Sequence, residues 1–244
     1  MVKRLNMRKA NRNDMKEEMG YPAKFNEFED RPKKIEKKQP GKRLLSAIHF
    51  ALEKTGSQLR KGRNIPYITH PLGVMDILLK QKQNLEEYHC TNENPITDDL
   101  VIAAVLHDLI EDSGVKKPEI EMTFGKKVAF YVSQVTKPRE GTWKAKRKII
   151  LDRMKKADKT TQLLFLADKY HNLKSTIEDR EFDLEEPFDN DAEQKWFHME
   201  CLKVLVGLKG FLLYELFWNL VQETFTEPDR WVPCNLGDWS PDEN

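Results

Sequence analysis

From Lys42 onward the apolar residues recur three and four positions apart: Leu44, Leu45, Ile48 and Leu52 form one stripe, and Leu72, Val74, Ile77 and Leu78 a second. That spacing follows the turn of an α-helix, not the two-residue repeat of a half-buried strand. A third helix is predicted from about Asp98 to Asp112. Thr97 can cap it, Asp98 and Asp99 suit the positive end of its dipole, and Ser113-Gly114 stops it. Pro118 opens a short helix reaching Phe124, and Gly125 separates that from a helix carrying Val128, Phe130, Val132 and Val135. Lys144 to Lys156 and Thr160 to Ile177 give two more, and the acid-rich stretch Glu178 to Glu193 reads as a solvated loop. A long apolar helix containing Trp196, Leu202, Leu205 and Leu212 follows. No internal repeat, Gly-rich phosphate loop or alternating pattern interrupts the series, so the expected fold class is all-α.

The charge pattern divides the chain. Residues 1–42 hold 13 basic and 7 acidic side chains with few large aliphatics, which predicts a flexible basic extension. The helical pattern fills 43–225, and Pro228, Pro233 and Pro241 mark 226–244 as an irregular tail. Over the whole chain 41 basic residues meet 40 acidic ones, for a net charge of +1. No global field therefore recruits nucleic acid, and no DNA partner is expected. Cys90, Cys201 and Cys234 are odd in number and far apart, which fits a reducing cytoplasm better than a disulfide framework. Lys203, Lys209 and Glu215 interrupt the apolar stretch Cys201 to Val221, which reads as buried core and not as a membrane span.

The third helix carries the chemistry. Leu100 to Leu106, with Leu109 and Ile110, make it apolar nearly all round, the mark of a buried helix, yet it also holds His107, Asp108, Glu111 and Asp112. Burying unpaired carboxylates costs on the order of several kcal/mol each. Spacing of four would stack His107 over Glu111 and Asp108 over Asp112, where a divalent cation could satisfy them. A His-Asp pair alone reads more simply as a helix end reaching solvent. Two further segments change that balance: His70 in Tyr67-Ile68-Thr69-His70-Pro71, and the polar stripe Asp168, Asn172, Ser175 on a helix padded with leucine. Two imidazoles and two carboxylates suit manganese, with iron, zinc and magnesium as alternatives. Open positions remain for water and phosphate, which points to metal-dependent phosphohydrolysis, with Glu111 and Asp112 placed to orient or deprotonate water or to assist the leaving group.

These segments, together with Gln58-Leu59-Arg60-Lys61, Phe124-Gly125 and Val135-Thr136-Lys137, occur in the order found in a known family. From about Leu44 to Ile177 the chain resembles the hydrolase domains of the RelA/SpoT group, within the HD metal-phosphohydrolase superfamily. The resemblance implies an HD-domain helical bundle with manganese held by His70, His107, Asp108 and Asp168, and Glu111 and Asp112 as the catalytic acidic pair. Arg60, Lys61, Asn172 and Ser175 fall on nucleotide-binding positions. The implied activity is removal of the 3′-pyrophosphate from the guanosine alarmones ppGpp and pppGpp. Beyond Arg180 only 64 residues remain, too few for an alarmone synthetase domain, which implies a stand-alone small alarmone hydrolase. Two other readings stay open: hydrolysis of another nucleotide or a pyrophosphorylated RNA end, in an antitoxin-like role with a cognate toxin, and a non-catalytic nucleotide-sensing or partner-binding module. A homo-oligomer is equally open. His49, His89, His171 and His198 receive no metal assignment.

Overall fold

The apolar stripes close into a helical bundle in the computed structural model, which describes residues 41–60, 64–88, 94–181 and 191–225. All of them belong to one compact unit, Pro40–Asn244. The expected extension, apart from Gly41 and Lys42, and the expected tail at 226–244 lie outside the described residues. Ten α-helices and a single 3-10 turn make up the described part, whose nearest approach to a strand is an isolated antiparallel bridge between Leu59 and Pro66. No described helix is long and apolar enough to cross a membrane.

Helix α1, Lys42–Thr55, turns its small residues Ala47 and Ala51 inward and leaves Leu45 and Leu52 nearly half exposed. The predicted stripe is thus rotated, because alanines let α1 approach its neighbour closely. That neighbour is α3, Asp98–Leu106, whose residues from Leu100 to Leu106 are all buried. Thr97 caps α3 as expected, its side chain accepting from the Leu100 N–H. Helix α2, Thr69–Tyr88, packs on α3 and on the long helix Lys159–Glu181.

The predicted helix from Asp98 to Asp112 is broken. Helix α3 ends at Leu106, His107 and Asp108 form a turn, and α4 is the four-residue Leu109–Asp112. Gly114, at φ +68°, then takes the left-handed conformation that glycine adopts without steric cost. Helices α5, Lys117–Phe124, and α6, Lys126–Val135, meet at Gly125 with φ +99°. Helix α7, Trp143–Met154, is capped by Thr142. Helix α8, Lys159–Glu181, runs beyond the expected end at Ile177, so the start of the predicted acidic loop is helical. The long apolar helix expected near the end is two: α9, Asp191–Val204, and α10, Leu212–Phe225, separated by the 3-10 turn Val206–Leu208 and Gly210 at φ +93°.

His49 is exposed. His198, on α9, is 5% exposed and sits among Phe197, Phe217 and Phe225, with its Nδ1 2.8 Å from the Gln194 carbonyl oxygen. Burial lowers its pKa to about 4. Above an ordinary histidine pKa of about 6.5 the ring is neutral whether the chain is folded or not. Below it the unfolded chain binds a proton that the folded one refuses, so stability falls as pH drops from that value toward the folded one. Between pH 7 and pH 5 the wild type should lose about 2 kcal/mol relative to His198→Phe, measured by urea denaturation at each pH. A difference independent of pH would rule this out.

Candidate metal centre

Three packed helices bring the four expected ligands together. His70 is the second residue of α2, with Pro71 behind it in the first turn, where the missing N–H costs nothing. His107 and Asp108 form the turn that ends α3, and Asp168 projects from the middle of α8. His70, His107 and Asp168 are all at least nine-tenths buried.

His70 Nε2 lies 3.2 Å from His107 Nε2. Asp168 Oδ1 is 3.3 Å from the first of these nitrogens and 3.6 Å from the second. Asp108 Oδ2 is 3.4 Å from His70 Nε2 and 3.1 Å from His107 Nε2. Two ligand atoms each about 2.1 Å from one ion are separated by about 3.0 Å at a right angle and about 3.4 Å at a tetrahedral one. The cluster has the size of a first coordination sphere. Its tautomers agree: His107 Nδ1 is 2.8 Å from the Ala104 carbonyl, so it carries the proton and leaves Nε2 as a lone pair facing inward. A divalent cation fits this donor set, although the stacking of His107 over Glu111 that first suggested it is replaced by the turn after Leu106.

Further side chains orient the carboxylates. Lys169, itself buried, donates to Asp168 Oδ2, while Asn172 Nδ2 donates to Asp168 Oδ1 at 2.5 Å. The Tyr67 hydroxyl is 2.8 Å from Asp108 Oδ2 and 2.6 Å from Asp112 Oδ2, and its one proton serves one carboxylate at a time. Burial, then the Asp108 charge, raises the Tyr67 pKa and keeps it a donor. Burial likewise raises the Asp112 pKa, with Asp108 and Glu111 adding to the shift against the Tyr67 hydrogen bond. Glu111 points another way: Lys137 meets it with its backbone N–H at 2.5 Å and its Nζ at 2.6 Å.

Of the expected nucleotide contacts, Arg60 and Ser175 meet, with Nη1 donating to Oγ at 3.1 Å. The bridge between Leu59 and Pro66 helps deliver Arg60 and Tyr67 to the centre, since Tyr67 N–H donates to the Gln58 carbonyl and Arg60 N–H to that of Ile65. Lys61 lies outside the described residues. Asn172 is turned to Asp168. The sequence assigned no role to Tyr67, Lys137, Lys169 or His171, each of which touches a site residue. His171 Nδ1 is 3.0 Å from His70 Nδ1, and burial, then the charges of His70 and Arg60, lower its pKa to about 3. Of these, Lys169 left a trace in the sequence, as a cation next to Asp168 in a helix padded with leucine.

Residues 47–186 match the protein family described as HD domain. The guanosine-3′,5′-bis(diphosphate) 3′-pyrophosphohydrolase of Xenopus tropicalis is 32% identical over 169 residues, spanning 68% of this chain and 85% of its own. The Homo sapiens protein of the same name is also 32% identical over 169 residues, with the same shares of 68% and 85%. The Aquifex aeolicus enzyme of that activity is 37% identical over 142 residues, 56% of this chain but 18% of its own. Two solved structures share the fold. A Listeria monocytogenes EGD-e protein has a TM-score of 0.54 at 24% identity, covering 66% of this chain and 97% of its own. A metazoan ortholog of SpoT, described as hydrolysing ppGpp, has a TM-score of 0.56 at 24% identity, covering 75% and 96%.

The electrostatics set a pH dependence for metal uptake. Burial opposes charge on His107, but the Asp108 and Asp168 carboxylates outweigh it and hold the pKa well above the ordinary value. A cation must displace that proton, so affinity rises with pH. Titration with Mn2+ at pH 6.5 and 7.5 should show about a tenfold gain per unit for one displaced proton; equal affinities would contradict this account.

Proposed function

The chain belongs to the HD domain family, and from that premise we propose that it is a manganese-dependent hydrolase of guanosine-3′,5′-bis(diphosphate), acting at the 3′-pyrophosphate. The tetraphosphate would return GDP and the pentaphosphate GTP, each with release of pyrophosphate. The observation that carries the reading is the convergence of His70, His107, Asp108 and Asp168, with Tyr67 linking Asp108 to the neighbouring Asp112. The substrate rests on the names of the curated relatives. When bound, the cation would supply Lewis acidity, making water acidic enough to attack at neutral pH and offsetting charge on a phosphoryl oxygen.

The chain's own groups do the rest. Arg60 stands beside Ser175, where a planar guanidinium can stack on a purine and its charge can meet phosphate. Lys61 is its sequence neighbour and is proposed to add a second cation. Lys137, a quarter exposed, brings a positive charge to Glu111 that also faces phosphate arriving from solvent. Glu111 already accepts two hydrogen bonds, which suits it to holding Lys137 in place. Asp112, with a raised pKa and Tyr67 on one oxygen, is suited to proton transfer. The water oxygen bonds to the phosphorus and its lost proton passes to Asp112. The bond to the 3′ oxygen breaks, and that oxygen leaves with the bonding pair and is protonated from solvent. Asn172 orients Asp168, and Ser175 is left to meet the nucleoside.

Asp108→Ala should abolish pyrophosphate release, and unchanged turnover in that variant would remove the mechanism. The protein with Mn2+, offered ppGpp, pppGpp, NADPH and common nucleotides, should release pyrophosphate from the first two; preference for another nucleotide would reassign the substrate. Asp112→Asn should lower kcat by roughly 10²- to 10⁴-fold, the usual worth of a positioned acid or base. Its Mn2+ affinity, read by calorimetry, should stay at the wild-type level, and a loss of metal instead would make Asp112 a ligand.

A further inference from the structure

His70 is held from behind by His171, which is neither among its partner ligands nor among the expected nucleotide contacts. To offer Nε2 as a lone pair toward His107, Asp108 and Asp168, the His70 ring must carry the proton on Nδ1. That nitrogen lies 3.0 Å from His171 Nδ1, with the rings 4.8 Å apart and inclined at 63°. The His171 nitrogen is therefore the acceptor. Metal-binding histidines usually pass this second N–H to a carboxylate, a carbonyl or water, as His107 does to Ala104.

The seat of His171 is cut into the neighbouring helix. Gly73 stands one turn after His70 on α2, a position where glycine costs about 1 kcal/mol relative to alanine. Its backbone does not have positive φ, so conformation does not call for glycine. Space does: a Cβ at Gly73 would lie 2.1 Å from His171 Nε2 and 2.4 Å from Cδ2, distances real atoms do not adopt. His171 borders, with Gly73 and Ser175, a cavity of about 290 Å³ into which a displaced ring could move. Ser175 Oγ, 3.4 Å from His171 Nδ1, also accepts from Arg60.

We propose that His171 is the positioning residue for His70, its Nδ1 accepting the His70 Nδ1–H, and that Gly73 is glycine to leave room for the ring that does so. The arrangement fixes the tautomer and the angle of one ligand through a neutral acceptor on α8, the helix that also supplies Asp168.

The inference rests on His70 being a metal ligand, and the test separates the two readings. Mn2+ is titrated calorimetrically into the full chain as wild type, His171→Ala, His171→Asn, Gly73→Ala and the double variant Gly73→Ala/His171→Ala, with thermal melts of each metal-free protein. His171→Ala and Gly73→Ala should each weaken Mn2+ binding by roughly 10- to 100-fold, the usual loss when a ligand's support is removed. His171→Asn, which returns an oxygen acceptor near the Nδ1 position, should recover most of the affinity. The double variant should bind as His171→Ala does, because without the ring a Cβ at position 73 meets nothing. His171→Ala binding as tightly as wild type would overturn the proposal. So would a Gly73→Ala loss that is equally large in the His171→Ala background, since Gly73 would then act independently of the ring. A wild type that takes up no Mn2+ overturns the metal-centre reading and this one with it.

Discussion

Two imidazole nitrogens 3.2 Å apart, both flanked by carboxylate oxygens, cannot both turn lone pairs inward unless positive charge is placed among them. The bundle is arranged around that constraint. Helices α2, α3 and α8 pack mutually, and each brings a candidate ligand to the contact. Around the ligands lie fully buried apolar side chains, among them Leu106, Leu109 and Phe165. Burying an ion costs on the order of several kcal/mol, and breaking a buried pair leaves that cost uncompensated. The metal-free chain answers with a proton on His107 and an ammonium on Asp168. A divalent ion would displace the first and leave the second.

The two lysines of the centre do different work because they differ in burial. Lys169 has its Nζ against Asp168 and over the Phe165 ring, with its side chain 8% exposed. It balances the charge of one carboxylate and holds the oxygen that faces away from the ligand cluster. Lys137 sits at the opposite edge, on the segment after α6, and keeps contact with solvent. With a chain net charge of +1, attraction for a polyanionic nucleotide has to be local. Arg60, against Ser175, and Lys137, against Glu111, are two described cations close enough to the centre to contribute to it.

Much of this was legible in the sequence. The all-α class followed from spacing and the Thr97 cap from its position, and the residues that the fold gathers into one buried group were marked by histidine and aspartate in apolar surroundings, by His70 at a helix start before Pro71, and by the polar stripe of Asp168. The break after Leu106 was not legible, because apolar residues continue across it and the next punctuation is Ser113-Gly114. Nor was the division of the last long helix, where a 3-10 turn interrupts a pattern that reads as continuous. The partners that orient the ligands were hidden for a different reason. Tyr67 meets Asp108 across 41 positions, Lys137 meets Glu111 across 26, and His171 meets His70 across 101. Helical periodicity reports only which residues share a face, so contacts made when three helices close on one another leave no local signature. Gly73 shows this most clearly: in sequence it is a mild helix defect, and only the position of the His171 ring gives it a reason.

The adjacent acids Glu111 and Asp112 carry the same charge in a four-residue helix, yet the fold separates their environments. One is taken by a backbone N–H and an ammonium group, so both its oxygens already have donors. The other is open to solvent with a phenol as its partner, and desolvation, then the neighbouring Asp108 and Glu111 charges, raises its pKa against that hydrogen bond. Neighbouring carboxyls with different surroundings can take different roles in a site. Here the division follows from the turn at His107 and Asp108. Had α3 continued as one helix to Asp112, Glu111 would have lain under His107 and Asp112 under Asp108, crowding all four groups on one side. By rotating the last turn, the break turns Glu111 toward Lys137 and leaves Asp112 at Tyr67, which in turn touches a ligand. The same irregularity that defeated the helix prediction thus gives the two acids different chemistry.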